Sequence, residues 1–164
     1  MATARDGRIV SVRPARSDDA AAAVDVVRRS ITESCAADHG GDAQTLERWL
    51  ANKTVDRFIE WIANPENFAV VAEAGGRVAG VGLLRHNGEI NLLYVDPGAQ
   101  SSGIGAAIHL ALEQQARASG LAKLTLGSTL LACRFYERLG YQSTGASKSL
   151  FGVLRAYPYE KTLD

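Results

Sequence analysis

The sequence predicts an α+β sandwich, in which a mostly antiparallel, mixed sheet is flanked by helices on both faces. Hairpin signals cluster in the middle of the chain, at Ala74-Gly75-Gly76-Arg77 and at Asn87-Gly88, and segments with helical periodicity lie on both sides of them. The strands and helices do not alternate as they do in a Rossmann fold. Because 164 residues suit one hydrophobic core, we expect residues 1–164 to form a single domain.

The composition argues against several classes of function. The chain has 18 Lys and Arg and 18 Asp and Glu, so it has no basic excess for the phosphates of a nucleic acid. The polar segment 1–6 lacks the apolar core of a secretory signal, and no apolar run is long enough to cross a bilayer. Cys35 and Cys133 form no Cys-x-x-Cys pair. We therefore expect a cytoplasmic protein that binds neither nucleic acids nor membranes.

The N-terminal third of the chain predicts one strand followed by helices. Residues 8–13 are rich in β-branched side chains, and Pro14 ends this strand because proline has no N–H to donate. Residues 17–19 provide the capping and acidic side chains of a helix start, and apolar residues then recur at helical spacing over residues 20–31. The spacing of apolar residues over 46–62 predicts one or two further short helices.

The middle of the chain predicts three paired strands. Residues 68–73 and 78–85 flank the Gly75-Gly76 pair and should form a hairpin. Asn87-Gly88 is a strong signal for a type I′ turn, which leads to a third strand over residues 89–95.

The C-terminal part of the chain contains a helix, a strand and a second helix. Their expected ranges are residues 105–118, 121–126 and 130–139, and glycines follow both helices. The tail alternates weakly over residues 151–153 and 157–163, which predicts two final strands.

The segment from Leu92 to Gly105 runs from a strand through a glycine loop into a helix. Free N–H groups at a helix start, reinforced by the helix dipole, form a site for an anion such as a phosphate. No Lys lies between Gly98 and Ala107, so the segment is not a P-loop. Ile108 occupies the position of the third glycine of a dinucleotide-binding fingerprint, so that interpretation is weak as well.

Two ordered motifs give the chain a family resemblance. Residues 100–105 read Gln-Ser-Ser-Gly-Ile-Gly, and residues 132–141 read Ala-Cys-Arg-Phe-Tyr-Glu-Arg-Leu-Gly-Tyr. They resemble the Gln/Arg-x-x-Gly-x-Gly/Ala and Ala-x-x-Phe-Tyr-Glu-x-x-Gly-Phe/Tyr motifs of the GCN5-related N-acetyltransferases (GNAT), and the order of elements agrees over residues 8–163. Many members carry Arg, Lys or Gly where Ser101 and Ser102 stand here, and an Asn where Thr129 or Leu131 stands.

The resemblance implies an acyl-CoA N-acyltransferase-like fold and an enzyme that uses acetyl-CoA as cosubstrate. Backbone groups of Leu93, Tyr94 and Val95 would bind the pantetheine arm and the thioester oxygen, as an oxyanion hole does. Because the loop lacks a basic side chain, contact with the pyrophosphate would depend on backbone N–H groups. The other residues that the resemblance assigns to cosubstrate binding are Gln100, Ser101, Ser102, Gly103, Ile104, Gly105, Ala132 and Phe135.

The resemblance also suggests two catalytic residues. Tyr136 aligns with a tyrosine that lies near the sulfur, where it can protonate the leaving thiolate as a general acid. An alkylamine with a pKa near 10.4 is mostly protonated at pH 7 and needs a base. Glu89, at the start of the strand that leads to the thioester, is the first candidate for this base, and His86 is an alternative.

The acceptor pocket of this family is shaped by the first helices and their loop. This places Glu33, Asp38 and His39 among the candidate acceptor-binding residues, together with Cys35, Trp49 and Trp61. Cys35, Asp38 and His39 have no second cluster to complete a tetrahedral metal site, so we expect no metal. The acceptor could be a small-molecule amine or an amine of a protein, and homodimers are common in the family.

Three classes of function follow from these observations. The first is an N-acetyltransferase in which an amine attacks acetyl-CoA directly in a ternary complex. The second is a catalytically silent module that binds or senses acyl-CoA, which the missing Asn and the missing basic loop residues favour. The third is a structural interaction domain, for which the Gly103-x-Gly105 match would be a coincidence. Fold alone does not decide among them, because function depends on the site.

Overall fold

The computed structural model describes residues 2–3, 7, 9–100 and 102–164 and contains two sheets. Strands of the first are β1 (Ala2–Thr3), β2 (Ile9–Pro14), β3 (Asn67–Ala74), β4 (Arg77–Arg85) and β5 (Ile90–Val95), which pair antiparallel in this order. Strands of the second are β6 (Lys123–Ser128), β7 (Gln142–Ser143), β8 (Lys148–Phe151) and β9 (Leu154–Thr162). Strand β9 pairs with each of the other three.

Helices cover both faces of the first sheet. They are α1 (Ala20–Arg29), α2 (Ala36–His39), α3 (Ala43–Leu50), α4 (Val55–Ala63), α5 (Ile104–Ala118) and α6 (Cys133–Arg138). One core lies between α5 and the sheet, and a second core on the other face contains residues of α1, α3 and α4. The predicted α+β sandwich is therefore confirmed, and so are the helix at 105–118 and the strands at 78–85 and 89–95 to within a few residues.

Two glycines of β4 let α5 lie unusually close to the sheet. A Cβ atom added to Gly80 would lie 2.5 Å from Cδ1 of Ile108, and one added to Gly82 would lie 2.5 Å from Cγ2 of the same side chain. Real side chains do not approach so closely, so a larger residue here would push the helix outwards. The close contact holds the N-terminus of α5 beside the end of β5.

The turn between β4 and β5 differs from the predicted type I′ turn. The N–H of Gly88 donates to the carbonyl of Arg85 over 3.0 Å, and the N–H of Arg85 donates to the carbonyl of Glu89 over 2.8 Å. The loop thus contains His86, Asn87 and Gly88, and Gly88 adopts a left-handed φ of 91° after the turn. A Cβ atom on Gly88 would also lie 2.6 Å from the carbonyl oxygen of Lys123, so glycine is required for two reasons.

The C-terminal tail forms a hairpin, and the turn of this hairpin lies where a strand was expected. Residues 152 and 153 connect β8 to β9, and Gly152 has a φ of 53°, so the predicted strand over 151–153 is wrong beyond Phe151, which ends β8. Glycine adopts this φ readily, and the turn is held by a distant contact, in which the N–H of Val153 donates to Oγ1 of Thr45 in α3 over 3.1 Å. The strand predicted over 157–163 forms part of β9.

The helical segments in the N-terminal half and near the C-terminus also differ from the predictions. Helix α1 ends at Arg29 and continues as a π-helical turn over Ser30–Ser34. The one or two short helices predicted over 46–62 are confirmed as α3 and α4, and the short helix α2 before them was not predicted. The helix predicted over 130–139 begins only at Cys133, because residues 129–132 form a turn. In the part of the chain that the structure describes, no helix is both long and apolar enough to cross a membrane.

Candidate active site

A cleft opens where β5 and β6 diverge. Glu89 and Thr125 form an isolated parallel bridge, and the N–H of Thr125 donates to the carbonyl of Gly88 over 3.0 Å. Among the described residues this is the one point of pairing between the two sheets. Beyond it, none of the described strands lies beside the edge of β5 that faces β6. Backbone groups of this edge are therefore available to a ligand, except the carbonyl of Val95, which accepts from Gln100.

A β-bulge in β5 lies at the beginning of this cleft. Leu83 of β4 pairs with Leu92, whereas Leu84 pairs with Ile90, so Asn91 is an extra residue in β5. Such a bulge bends the strand and redirects its side chains. Asn91 is exposed and lines the cleft.

The end of β5 is fixed by polar contacts from the loop that follows. Oδ1 of Asp96 accepts the N–H of Gly98 over 2.8 Å, and Arg29 of α1 pairs with the other carboxylate oxygen. The hydrogen bond from Arg29 lowers the pKa of Asp96, so this carboxylate stays charged. Nε2 of Gln100 donates to the carbonyl of Val95 over 2.9 Å. Gly103 follows this loop and lies directly before the first turn of α5, and it has a left-handed φ of 93°.

Helix α6 forms the opposite wall of the cleft. The ring of Phe135 lies against the start of α5, where a Cβ atom added to Gly105 would be 3.2 Å from its Cε1. Tyr136 follows and is only 6% exposed. Its ring packs edge-on against Tyr141, with the ring centres 5.4 Å apart. Phe135 therefore contacts the start of α5, and Tyr136 beside it lies in the buried interior of the site.

Together these elements enclose a pocket of about 540 Å³. It is lined by groups from β5, the glycine loop, α5, the end of β6, α6 and the π-helical turn after α1. The lining residues discussed below are Ser30, Cys35, Ile90, Asn91, Leu93, Tyr94, Val95, Gln100, Gly103, Gly105, Thr129, Leu131, Ala132, Arg134, Phe135, Tyr136 and Arg138.

Most residues predicted to bind the cosubstrate lie in this lining. They are Leu93, Tyr94, Val95, Gln100, Gly103, Gly105, Ala132 and Phe135. Ile104 is buried in the core beside the pocket instead, and the hydroxyl of Ser102 donates to the carbonyl of Ala99. Ser101 lies outside the described residues.

Tyr136 lines the pocket, as expected for a residue near the reacting atoms. Burial raises the pKa of its phenol above the ordinary value, so the hydroxyl is protonated at neutral pH. Behind it, Oη of Tyr141 and Nε2 of His109 are 2.7 Å apart. Burial lowers the pKa of His109 to about 4, so this imidazole is neutral at pH 7.

The two candidate bases are not part of the described lining. Glu89 is half-buried at the closed end of the cleft, one residue before Ile90, which does line the pocket. Its N–H donates to Oδ1 of Asn87 over 3.1 Å. The side chain of His86 is 58% exposed and faces Glu66, with Nδ1 3.7 Å from a carboxylate oxygen.

Two of the three candidate acceptor ligands are used in internal contacts. Oδ1 of Asp38 accepts the N–H of Leu130 over 2.6 Å, and Oδ2 accepts that of Leu131 over 3.4 Å. Nε2 of His39 is 3.0 Å from the carbonyl of Thr32. The other ring nitrogen of His39 accepts the N–H of Gly41 over 3.0 Å. Glu33 is exposed, and acceptor binding by these three residues stays a prediction.

Several lining residues were not assigned to the site from the sequence or were only weakly indicated. They include Ser30, Cys35, Asn91, Arg134 and Arg138. Arg134 and Arg138 are four residues apart and flank the Phe-Tyr pair. This spacing could have indicated that both side chains lie on the same face of a helix. Burial and the nearby charge of Asp38 raise the pKa of Cys35 to about 12, so its thiol is not a nucleophile at neutral pH. Asn91 has no signal, because a bulge leaves no mark on a single sequence.

Metal-ligating side chains are not clustered in the described part of the chain. In residues 2–3, 7, 9–100 and 102–164, no group of three or more His, Cys, Asp or Glu side chains is arranged to hold an ion.

Solved structures of acetyltransferases are similar to this fold. A GCN5-related N-acetyltransferase from Rhodopseudomonas palustris is 25% identical, with a TM-score of 0.84 over 99% of this chain and 98% of that chain. The PaiA N-acetyltransferase from Thermoplasma acidophilum, solved in complex with coenzyme A, is 18% identical, with a TM-score of 0.77 over 94% and 99%. An N-acetyltransferase from Staphylococcus aureus is 19% identical, with a TM-score of 0.72 over 95% and 99%.

The sequence itself also matches a family profile. The profile is described as an acetyltransferase (GNAT) domain, and it matches residues 35–163. A search of curated protein sequences finds no match. The fold and this match define an acetyltransferase domain. The chain belongs to the GCN5-related N-acetyltransferase family, whose cosubstrate is acetyl-CoA.

Proposed function

We propose that this chain transfers the acetyl group of acetyl-CoA to a primary amine, which attacks the thioester directly in a ternary complex. In this reaction a bond forms between the amine nitrogen and the carbonyl carbon and the carbon–sulfur bond breaks, while the nitrogen loses one proton and the thiolate gains one. The base that took up a proton and the acid that gave one then exchange protons with solvent, which restores both. The observation that supports the proposal best is the cleft between β5 and β6, with the protonated Tyr136 in its wall.

The residues of the cleft fit acetyl-CoA. The pantetheine arm carries amide groups that can pair with the backbone of an open strand edge, and residues 93–95 of β5 supply such an edge. At the end of that strand, the first turn of α5 supplies free N–H groups next to Gly103 and Gly105. When bound, acetyl-CoA supplies an activated acyl group and a thiolate leaving group.

Tyr136 is our proposed general acid. Among the described residues its hydroxyl has no hydrogen-bond partner, so it can donate to a group in the pocket. Because its raised pKa exceeds that of a thiol, about 8.5, complete transfer of the proton from the phenol to the thiolate is uphill. The hydroxyl would instead share its proton with sulfur as negative charge develops there.

Glu89 remains our proposed base. It lies at the closed end of the cleft but not in the described lining, so the amine proton would reach its carboxylate through water. The alternative, His86, already faces Glu66 on the exposed side of the turn. If Glu89 acts in this way, the change Glu89→Gln should flatten the acidic limb of the pH profile of kcat/KM. A profile that overlays the wild type would remove Glu89 from the mechanism.

A silent acyl-CoA-binding module is the second candidate function. One observation favours it, because the described lining contains no carboxylate and no imidazole that could accept the amine proton directly. Such a protein would bind acetyl-CoA and release no coenzyme A with any amine.

One pair of measurements separates these candidates. The melting temperature should rise by about 5 to 11 °C when acetyl-CoA is present at about 100 times its dissociation constant. Release of free thiol is then followed over a panel of small amines and peptides with free amino groups. Binding with thiol release that depends on an amine supports the transferase. Binding without thiol release supports the silent module, and no binding at millimolar acetyl-CoA would overturn both.

A further inference from the structure

The loop that should hold the phosphates of acetyl-CoA has no positive side chain. Between Asp96 and Ala107 the sequence contains neither Lys nor Arg. Acetyl-CoA carries a diphosphate and a phosphate on its ribose, so several negative charges must be accommodated. The start of α5 offers about half a unit of positive charge. Additional positive charge must come from another element of the pocket or from solvent ions.

Helix α6 presents two arginines to the same pocket. Arg134 and Arg138 are the cationic side chains among the described lining residues, and both are exposed. Being four residues apart on a helix, they lie on one face. The described lining includes no Asp or Glu, so no carboxylate of the pocket competes for these guanidinium groups.

Several other arginines of the protein are paired with carboxylates. Arg13 contacts Asp19 and Glu73, each over 2.8 Å, and Arg29 contacts Asp25 and Asp96. By contrast, no ion pair of the described residues involves Arg134 or Arg138. Two unpaired guanidinium groups on the wall of a pocket are suited to an anionic ligand, since each can bind phosphate oxygens in a bidentate manner.

Packing brings this arginine face to the glycine loop. Phe135 lies between the two arginines in sequence, and its ring contacts the position of Gly105 at the start of α5. Arg134 and Arg138 line the same pocket as Gly103 and Gly105. Two positive side chains and the uncharged glycine loop therefore line one pocket.

We propose that Arg134 and Arg138 bind phosphate groups of acetyl-CoA and so replace a basic residue of the loop. This inference rests on the proposed function, because it takes acetyl-CoA as the ligand. It adds that affinity for the cosubstrate depends on α6 as well as on the loop, and that the dependence is specific for the phosphates.

The test compares ligands with and without phosphates. Calorimetry measures the dissociation constants of acetyl-CoA and of S-acetylpantetheine, which has the same thioester arm and no phosphate. We expect Arg134→Gln/Arg138→Gln to weaken acetyl-CoA binding at least about 10-fold and to change S-acetylpantetheine binding less than about 2-fold. The wild-type affinity for acetyl-CoA should also fall with salt more steeply than that of the variant.

A matched control removes two positive charges outside the lining. Arg57 and Lys148 are exposed and do not line the pocket, so Arg57→Gln/Lys148→Gln should leave both affinities within about 2-fold. If the Gln pair fails to fold, Arg134→Ala and Arg138→Ala are measured singly, with an expected loss of about 3-fold or more for acetyl-CoA alone. Dephospho-acetyl-CoA, which lacks the phosphate on the ribose, shows whether the arginines bind that phosphate or the diphosphate. Either result supports the proposal.

Three results would overturn the proposal. Equal losses for both ligands would mean that α6 is merely damaged, and equal losses in the control would mean that net charge alone matters. An unchanged affinity for acetyl-CoA would show that the arginines do not bind it, while the proposed function would stand. A wild-type protein that does not bind acetyl-CoA would overturn the proposed function and this inference together.

Discussion

Two regions that contribute to the pocket use their polar groups in different ways. Along β5 and the start of α5, backbone groups are left without strand or helix partners and face the cleft. In residues 30–45, the polar side chains of Asp38 and His39 are engaged with the protein's own backbone. A polar residue near a pocket is thus a ligand candidate only after its internal hydrogen bonds have been counted.

The largest expected effect concerns Tyr136 of α6, which lines the same pocket as the first of these regions. Tyr136→Phe should lower kcat by about 10²-fold or more, because the group that protonates the thiolate is lost. The KM for acetyl-CoA and the melting temperature should stay near those of the wild type, since the hydroxyl has no partner among the described residues. Steady-state kinetics and thermal melting check this, with Tyr157→Phe as a control outside the pocket lining. An unchanged kcat would remove Tyr136 from the mechanism.

The buried pair behind Tyr136 predicts a pH effect on stability. The pKa of His109 is lowered to about 4 by burial, whereas an unfolded histidine titrates near 6.5. Protonation therefore favours the unfolded chain. The contribution of neutral His109 is complete above about pH 6.5 and is lost as the pH falls towards 4, by up to about 3 kcal/mol.

Urea unfolding at several pH values measures this effect. Between pH 6.5 and 4, His109→Gln should remove most of the pH dependence of the unfolding free energy. His86→Gln, at an exposed position, should keep this dependence. A pH dependence that persists in His109→Gln would show that other groups cause the acid sensitivity.

A smaller effect tests whether Asp38 is structural. Asp38→Ala leaves the N–H groups of Leu130 and Leu131 without their carboxylate, which should cost about 1 to 3 kcal/mol of unfolding free energy. Asp38→Asn keeps one acceptor oxygen and should lose less. Chemical denaturation of the three proteins gives the order. If Asp38→Ala instead raises the KM for the amine at unchanged stability, the contrast between the two regions fails.

The smallest effect concerns Glu33, the exposed acidic candidate in the same segment. Glu33→Ala should change the free energy of unfolding by no more than about 0.5 kcal/mol, because the side chain is exposed. As a candidate acceptor ligand it should raise the KM for a cationic amine a few-fold, and salt should reduce this difference. Amine kinetics at low and high salt measure it. An identical KM would exclude Glu33 from acceptor binding.

Local constraints explain which features could be predicted from the sequence. The loop before α5 is visible because Gly103 needs a positive φ and Gly105 a close approach, and the Gly75-Gly76 turn of the β3–β4 hairpin is visible for a similar reason. Distant contacts explain what could not be predicted. The turn at Gly152 is held by Thr45, more than a hundred residues away.

The pocket lining shows the same limit. Asn91 reaches the cleft through a bulge that only the pairing with β4 defines. Arg134 and Arg138 reach it because Phe135 packs on Gly105. Asp38 was expected among acceptor ligands, but its carboxylate is bonded to the turn before α6, a contact between segments more than ninety residues apart.

The isolated bridge between Glu89 and Thr125 also affects how the molecule unfolds. With one bridge between them, the sheets β1–β5 and β6–β9 share little backbone pairing, so their amides should exchange hydrogen with distinct opening free energies. A ligand arm with amide groups, lying along β5, would serve as a temporary strand between the sheets. Occupancy would then merge two cooperative units into one, and hydrogen exchange in β6 and β9 would slow together with that in β5.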